Sequence, residues 1–344
     1  MNTPVGVFGL GFMGATHLKA WAQVPGAQVA ALGNPSGRHL DGDFSDVAGN
    51  VGDQTPLKVD MTHVQAFRSL EEMLEGETVS VIDLCTPTHV HAGQAIAALE
   101  AGKHVICEKP MARTSAEAKR MIDAARAADR LLMPAMCLRF WPEWQWLKNA
   151  VADARYGRVL SAHFTRVAEA PGWGRSVFLD GEKSGGALLD LHIHDVDFVL
   201  HLFGRPLAVS SAGYTKVSGG IDHVISRYEV ESGAMVHAEG GWSMSAGFGF
   251  KMAYRVNFEN ATADYDCTRT ERPLRLFTDG KDSPVECSGP DGYIGQLRHF
   301  IQCVQSGAKQ CAITPEDGLL ALELCEAEEA SIRSSGRITL ESRD

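Results

Sequence analysis

The eight cysteines (Cys85, Cys107, Cys137, Cys267, Cys287, Cys303, Cys311 and Cys325) include no CxxC pair. That absence argues against a zinc ribbon or a thiol-exchange motif, and a chain of 344 residues needs no disulfide framework, so reduced and mostly buried thiols are expected. Basic residues are also short: 32 Lys and Arg stand against 43 Asp and Glu, a formal charge of -11, with no Lys/Arg cluster. Such a surface repels phosphate backbones and anionic headgroups, so neither nucleic acid nor membrane is an expected partner. No uncharged apolar run approaches bilayer-spanning length, and the opening MNTPVGVFGLGF carries no charged leader or twin-Arg signal, so a cytoplasmic protein is expected. Repeats and low-complexity segments are missing. What is present, 44% hydrophobic and 22% charged residues, suits a folded globular chain.

The length calls for two domains, placed at 1–138 and 139–344. The first part alternates short apolar runs with amphipathic helices, the pattern of βαβ units on a parallel, doubly wound Rossmann sheet. Strands are read at 4–9, 27–32, 79–85, 103–108 and 131–137, with a weaker one near 65–68. Residues 37–60 are rich in Gly and Asp without apolar periodicity and read as a long loop. Asp41, Asp43 and Ser45 suggest a calcium loop there, but its turn glycine and bidentate Glu are missing, and calcium is rejected. After 139 the runs RVLSAHFTRV, HVISRYEVES, AMVHAEGGWS and KMAYRVNFEN alternate in polarity, which gives an α+β domain with a large open, mostly antiparallel sheet closed by helices 292–305 and 315–334. Tyr228, Val236, Trp242 and Met244 on these strands need a cover, either helices or a second copy, and a homodimer or homotetramer is expected.

Gly9, Gly11 and Gly14, with Phe12 and Met13 between them, follow the first strand and open a helix. This is the dinucleotide fingerprint, in which glycine lets the backbone approach a pyrophosphate at a helix N-terminus. About twenty residues on, where an NAD enzyme usually offers a carboxylate to the ribose, stands Asn34, followed by Ser36 and Arg38. An arginine there suits a 2′-phosphate, so NAD or NADP is expected, with a lean to NADP. Glu108 and Lys109 lie at the carboxyl end of the fifth strand, where open α/β sheets bind ligands. Asp190 and His194, four apart, share a face if a helix begins there. The spacing of His192 and His194 also allows a metal, but no third ligand group has clear spacing and none is expected.

These residues carry a resemblance. The chain resembles the Gfo/Idh/MocA oxidoreductases through the glycine fingerprint with His17 after it, Thr86-Pro87 with His91, the ALEAGKHV run from Ala98 and Glu108-Lys109-Pro110. Arg139-Phe140 with Pro142 and the GG-x-L-x-D-x-x-x-H-x-x-D string ending at Asp197 complete the match. The resemblance implies NAD(P)-linked oxidation or reduction of a sugar, polyol or cyclitol, a small carbohydrate-like substrate, and a C-terminal sheet used for subunit contacts. By position it implies Lys109, Asp190 and His194 as the catalytic trio, Thr86, Pro87, His91 and Glu108 near the cofactor, and Arg139 and Trp173 near the substrate. Two departures stand out: His192 occupies a place often held by Gly, and the 37–60 loop is long.

Hydride transfer is the nicotinamide's chemistry, so the protein has to manage one proton and one developing charge. His194 suits the proton, Lys109 the developing alkoxide, and Asp190 the orientation of His194 together with a second hydroxyl. Two other classes fit the same fold: a non-catalytic dinucleotide sensor, and an NAD-dependent glycoside hydrolase that restores its cofactor each turnover.

Overall fold

A computed structural model describes residues 2–47, 49, 55–172 and 174–341. The chain forms two compact units, residues 1–137 with 290–319 and residues 138–289 with 320–344. Residues 290–319, which the sequence division assigns to the C-terminal part, belong to the first unit. The physical cause is helix Gly292–Ser306, whose buried face includes Ile294, Leu297, Phe300 and Ile301 and which packs against helix Phe12–Trp21.

In the first unit six strands, β1 (Thr3–Phe8), β2 (Ala27–Gly33), β3 (Gln65–Phe67), β4 (Val81–Leu84), β5 (His104–Cys107) and β6 (Leu132–Pro134), form one sheet in the order β3-β2-β1-β4-β5-β6. All neighbouring pairs are parallel. This is the Rossmann order, with its reversal between β1 and β4. The central strands are apolar on both faces because helices cover both, as the fully buried Val5, Val7, Val81, Ile82, Val105 and Ile106 show. The described residues of the 37–60 stretch hold contacts that its composition does not suggest: Asp43 bridges to Lys58, and Phe44, 2% exposed, stacks on His39 at 5.1 Å.

The second unit holds nine strands: β7 (Val159–Glu169), β8 (Ala208–Tyr214), β9 (His223–Glu229), β10 (Met235–Met244), β11 (Phe250–Phe258), β12 (Thr262–Asp266), β13 (Leu274–Thr278), β14 (Lys281–Pro284) and β15 (Ile338–Thr339). Their order is β14-β13-β12-β11-β7-β10-β9-β8-β15, antiparallel except for β7 with β10. One face is covered by helices Pro142–Ala152 and Ile193–Phe203, over a core centred on Trp144. Trp144 is ringed by Phe164, Phe198, Tyr254 and Tyr265, with Arg166 above it at 5.8 Å. Tyr228, Val236 and Trp242, read as residues in search of a cover, lie on this covered side and are 1%, 0% and 2% exposed. Helices of the same chain cover them. The opposite face carries Tyr214, Ile225, Arg227, Met235 and His237 instead.

Truncating Trp144 leaves a cavity that five neighbouring side chains fill only partly. Trp144→Ala is expected to lower stability by about 3–5 kcal/mol, read as a shift in denaturant midpoint at unchanged slope. A shift below about 1 kcal/mol would remove this residue from the centre of the core.

Candidate active site

Each unit presents its own set of functional side chains. In the first, the turn after β1 leaves helix Phe12–Trp21 with Gly11 at its N-cap, no side-chain cap and no acidic residue in the first turn. Its first N–H groups and positive dipole end are therefore left for an anion. Gly9 has φ +99°, and a Cβ there would sit 2.6 Å from the Cys85 backbone, while one on Gly14 would run into the Gly9 carbonyl. A Cβ on Gly11, by contrast, would meet nothing within 4 Å, so the middle glycine faces open space. Closed packing on two sides and an open third side is the cradle that a dinucleotide pyrophosphate requires, and these residues fit that group.

At the far end of this loop the Asn34 side chain is spent on its own turn: its amide donates to the Arg38 carbonyl at 2.8 Å, and its oxygen accepts from the Ser36 hydroxyl at 3.1 Å. The Arg38 guanidinium pairs with Asp46 at 2.9 Å on the exposed surface. Arg68, at the end of β3, lies over Gly37, so that a Cβ there would come within 2.8 Å of its guanidinium. Sequence spacing from the glycine loop gave no signal for this second cation.

Beneath the cradle is a buried polar cluster. His17 Nδ1 lies 2.9 Å from Asp83, its Nε2 lies 3.0 Å from Glu108, and Trp21 Nε1 donates to Asp83 at 2.7 Å. Burial alone would push the His17 pKa down, but the Asp83 charge and hydrogen bond outweigh it and hold the pKa well above the ordinary value. The environment thus favours the protonated form of His17, which lies between two buried acidic side chains. Glu108 is not the solvated partner of a surface turn: it is 4% exposed, and its other oxygen accepts the Lys109 backbone N–H at 3.1 Å. Pro110 follows through a cis peptide. His91, 1% exposed, reaches the Thr86 carbonyl at 2.6 Å and the Pro110 carbonyl at 2.9 Å, so it joins the loop after β4 to the loop after β5. Its role is to hold these loops, with burial pushing its pKa down.

In the second unit Asp190 lies in a π-helical turn, Leu188–His192, and His194 in the first turn of helix Ile193–Phe203. The α-helix thus begins only at Ile193, after Asp190; π-turns of this kind frequently mark functional sites. Both side chains are half-buried, while their neighbours are buried anchors. Asp195 pairs with Arg166 at 2.8 Å and Asp197 with Arg139 at 2.6 Å, so the helix bearing His194 is pinned on both sides. Arg139, expected beside substrate, is thereby bound in a two-pronged ion pair with Asp197. Trp173 lies outside the described residues. His192 turns into the core, where its Nε2 and the Tyr228 hydroxyl both meet Glu328 Oε1, at 3.3 and 2.5 Å. Gly240 makes the room, since a Cβ there would touch the His192 ring at 2.5 Å. Glu328, far away in sequence, and Tyr228, read as an apolar surface residue, could not be linked to His192 without the fold.

A six-stranded Rossmann sheet with an open pyrophosphate cradle, followed by a mixed sheet whose helix start bears Asp190 and His194, defines a nicotinamide-dinucleotide-dependent oxidoreductase. The chain belongs to the Gfo/Idh/MocA family: residues 3–136 match the "oxidoreductase family, NAD-binding Rossmann fold" and residues 144–264 the "GFO/IDH/MocA C-terminal domain". It is similar to levoglucosan dehydrogenase of Pseudarthrobacter phenanthrenivorans, 32% identical over 231 residues, which are 64% of this chain and 58% of that protein. It is 26% identical to myo-inositol 2-dehydrogenase of Thermotoga maritima over 98% of both chains. Among solved structures, aldose-aldose oxidoreductase from Caulobacter crescentus shares the fold at TM-score 0.84 and 23% identity, over 99% of this chain and all of that one. Levoglucosan dehydrogenase in complex with NADH gives a TM-score of 0.82 at 21% identity over the full length of both. No described helix is long and apolar enough to cross a membrane.

His17→Gln strands Asp83 and Glu108 without their cation and is expected to cost about 3–5 kcal/mol. Because the native pKa of His17 is raised, its stabilisation is complete below about pH 6.5 and fades as pH rises through the native value. The gap in Tm between wild type and variant should therefore narrow toward alkaline pH. A constant gap from about pH 6 to about pH 10 would contradict an imidazolium at this position.

Proposed function

We propose that the protein oxidises or reduces a CH–OH carbon of a sugar, cyclitol or related polyol, with NAD(H) as its principal dinucleotide. This reading is supported in the first unit by an uncapped glycine cradle after β1 and by Lys109 just beyond β5, and in the second by the half-buried Asp190 and His194 at a pinned helix start. The named relatives act on levoglucosan and inositols, which favours a ring with several hydroxyls. When bound, the nicotinamide supplies the hydride acceptor or donor.

The chain's own residues do the rest. His194 takes the proton of the reacting hydroxyl, or returns it in the reverse direction, which is typically worth about 10²–10⁴ in rate. Lys109 stabilises the developing alkoxide through a fixed ammonium that needs no reorganisation. Asp190 orients His194 and accepts a hydrogen bond from a neighbouring hydroxyl, which selects polyhydroxylated substrates over simple alcohols. The pinning of the helix by Asp195 and Asp197 keeps His194 in place through turnover.

The choice of dinucleotide rests on Arg38. Asn34 removes the carboxylate that would repel a 2′-phosphate, and on that ground the sequence leans to NADP. In the fold, however, the Arg38 guanidinium is paired with Asp46, whose charge both occupies it and opposes a phosphate. We read this as a preference for NAD that the loop can give up. The open sheet face, with Tyr214, Ile225 and Met235 exposed by 49%, 48% and 62%, is read as the contact surface of a homo-oligomer.

Sugars, inositols and sugar acids screened with NAD and NADP should yield net reduction at the nicotinamide absorbance band for at least one of them. Glycoside cleavage without net reduction would replace this reading by a hydrolase, and no turnover with any of them by a sensor. Lys109→Ala is expected to lower kcat by about 10²–10³ with dinucleotide Kd within about threefold, and near-normal turnover would remove it from the chemical step. Asp46→Asn should raise kcat/KM for NADP relative to NAD by about three- to tenfold; no change in that ratio would show that Arg38 does not read the ribose. Light scattering at micromolar concentration should exceed the 37.2 kDa of one chain, and the monomer mass would refute the contact surface.

A further inference from the structure

Away from the glycine cradle, three donors of the kind that bind soft metals converge in the first unit. His299 and Cys303 are one turn apart on helix Gly292–Ser306. Gly307, at φ +66°, closes that helix, and the returning loop brings Cys311 back against it. His299 Nε2 lies 3.3 Å from Cys303 Sγ, the two thiols hydrogen-bond each other, and one donor atom from each of the three residues lies within 4.8 Å of the others. Zinc held tetrahedrally at about 2.0–2.1 Å from nitrogen and about 2.3 Å from sulfur sets these edges at about 3.5 Å for N···S and about 3.8 Å for S···S. The cluster needs only a small contraction to meet them.

The imidazole is also in the right form. Ala312 donates its backbone N–H to His299 Nε2 at 2.8 Å, so this nitrogen carries a lone pair and the ring proton sits on Nδ1. The other three-residue cluster among the described residues, His17 with Asp83 and Cys85, differs on this point. There both imidazole nitrogens already face acidic side chains, Asp83 at 2.9 Å and Glu108 at 3.0 Å.

The geometry points to a binding site for one thiophilic divalent cation of the zinc class, held by His299, Cys303 and Cys311, with water at the fourth position. Cys303 and Cys311 are 7% and 5% exposed and His299 is half-buried, so the sulfurs are sheltered while the imidazole stays near solvent. On binding, each thiol releases its proton to solvent and two S–metal bonds form. Two thiolates then balance the dication, leaving a neutral cluster suited to burial. The Ala312 N–H passes from the imidazole to a thiolate sulfur. Because two thiol protons leave for each cation bound, affinity rises by up to about a hundredfold per pH unit while both thiols are protonated. The cation would tie the end of helix Gly292–Ser306 to its following loop, a clamp on the helix that packs against the cofactor helix Phe12–Trp21.

The test uses the full-length, reduced chain with Zn²⁺ and Cd²⁺ as probes. One Zn²⁺ per chain should survive dialysis, Cd²⁺ should produce a thiolate-to-cadmium charge-transfer band, and Zn²⁺ at about a hundredfold excess over Kd should raise Tm by about 4 °C. Cys303→Ser and Cys311→Ser should each abolish the band, and His299→Gln should weaken Zn²⁺ binding at least tenfold. Should the variants fold poorly, alkylation of the wild type followed by peptide mass mapping replaces them. Zn²⁺ should then protect Cys303 and Cys311 while the remaining accessible thiols react at their former rates. No charge-transfer band, a band unchanged in both cysteine variants, protection of other cysteines only, or a Cys303–Cys311 disulfide in the freshly reduced chain would each overturn the site.

Discussion

A charged imidazole without access to water holds the cofactor side of the molecule together. His17 rises from the cofactor helix, Asp83 from β4 and Glu108 from the end of β5, so a single cation fixes three elements whose relative positions define the cradle. Taking these ions out of water costs several kcal/mol each, and the arrangement persists only because each has a close partner. Trp21 adds a further donor to Asp83, and the Lys109 backbone adds one to Glu108. The carboxylate that accepts the Lys109 backbone N–H is thus itself held by the helix that follows the glycine turn.

The second unit solves a similar problem in another way. Its helix start has to present Asp190 and His194 half-buried, yet a helix with few capping groups at a π-turn is a weak element in isolation. Flanking acids supply the rigidity. Asp195 and Asp197 take buried arginines from β7 and from the segment before helix Pro142–Ala152, and His192 is drawn inward to Glu328 and Tyr228. His192, Asp195 and Asp197 are thus buried as anchors while Asp190 and His194 stay half-buried. Arg139 illustrates the division: a residue that position suggests for substrate is committed to holding the helix.

In the loop after β2 a local charge pattern has a partner that spacing does not show. Arg38 four residues after Asn34 suggests a phosphate site, but the loop that follows returns Asp46 to it. The same loop reads as loose from its Gly and Asp content, yet Phe44 is buried and Asp43 bridges to Lys58. One apolar anchor and one cross-strand bridge are enough to order a segment whose periodicity gives no sign of either.

Local patterns were enough for the parallel sheet of the first unit and the glycine turn after β1, because each depends on residues close in sequence. Apolar runs pick out buried strands, and glycines meet a backbone demand within six residues. Tertiary structure alone decided which polar residues are spent on one another. The carboxylates Asp83, Glu328, Asp197 and Asp46 that face His17, His192, Arg139 and Arg38 lie 66, 136, 58 and 8 residues away, and the fold, not sequence distance, pairs them. It also decided which side of the C-terminal sheet is covered: strand alternation separates Tyr228 and Val236 from Arg227 and His237, but only the packed helices show which set is inside. Alternation fixes that two faces differ, while the direction from which apolar area is removed from water depends on where the rest of the chain goes.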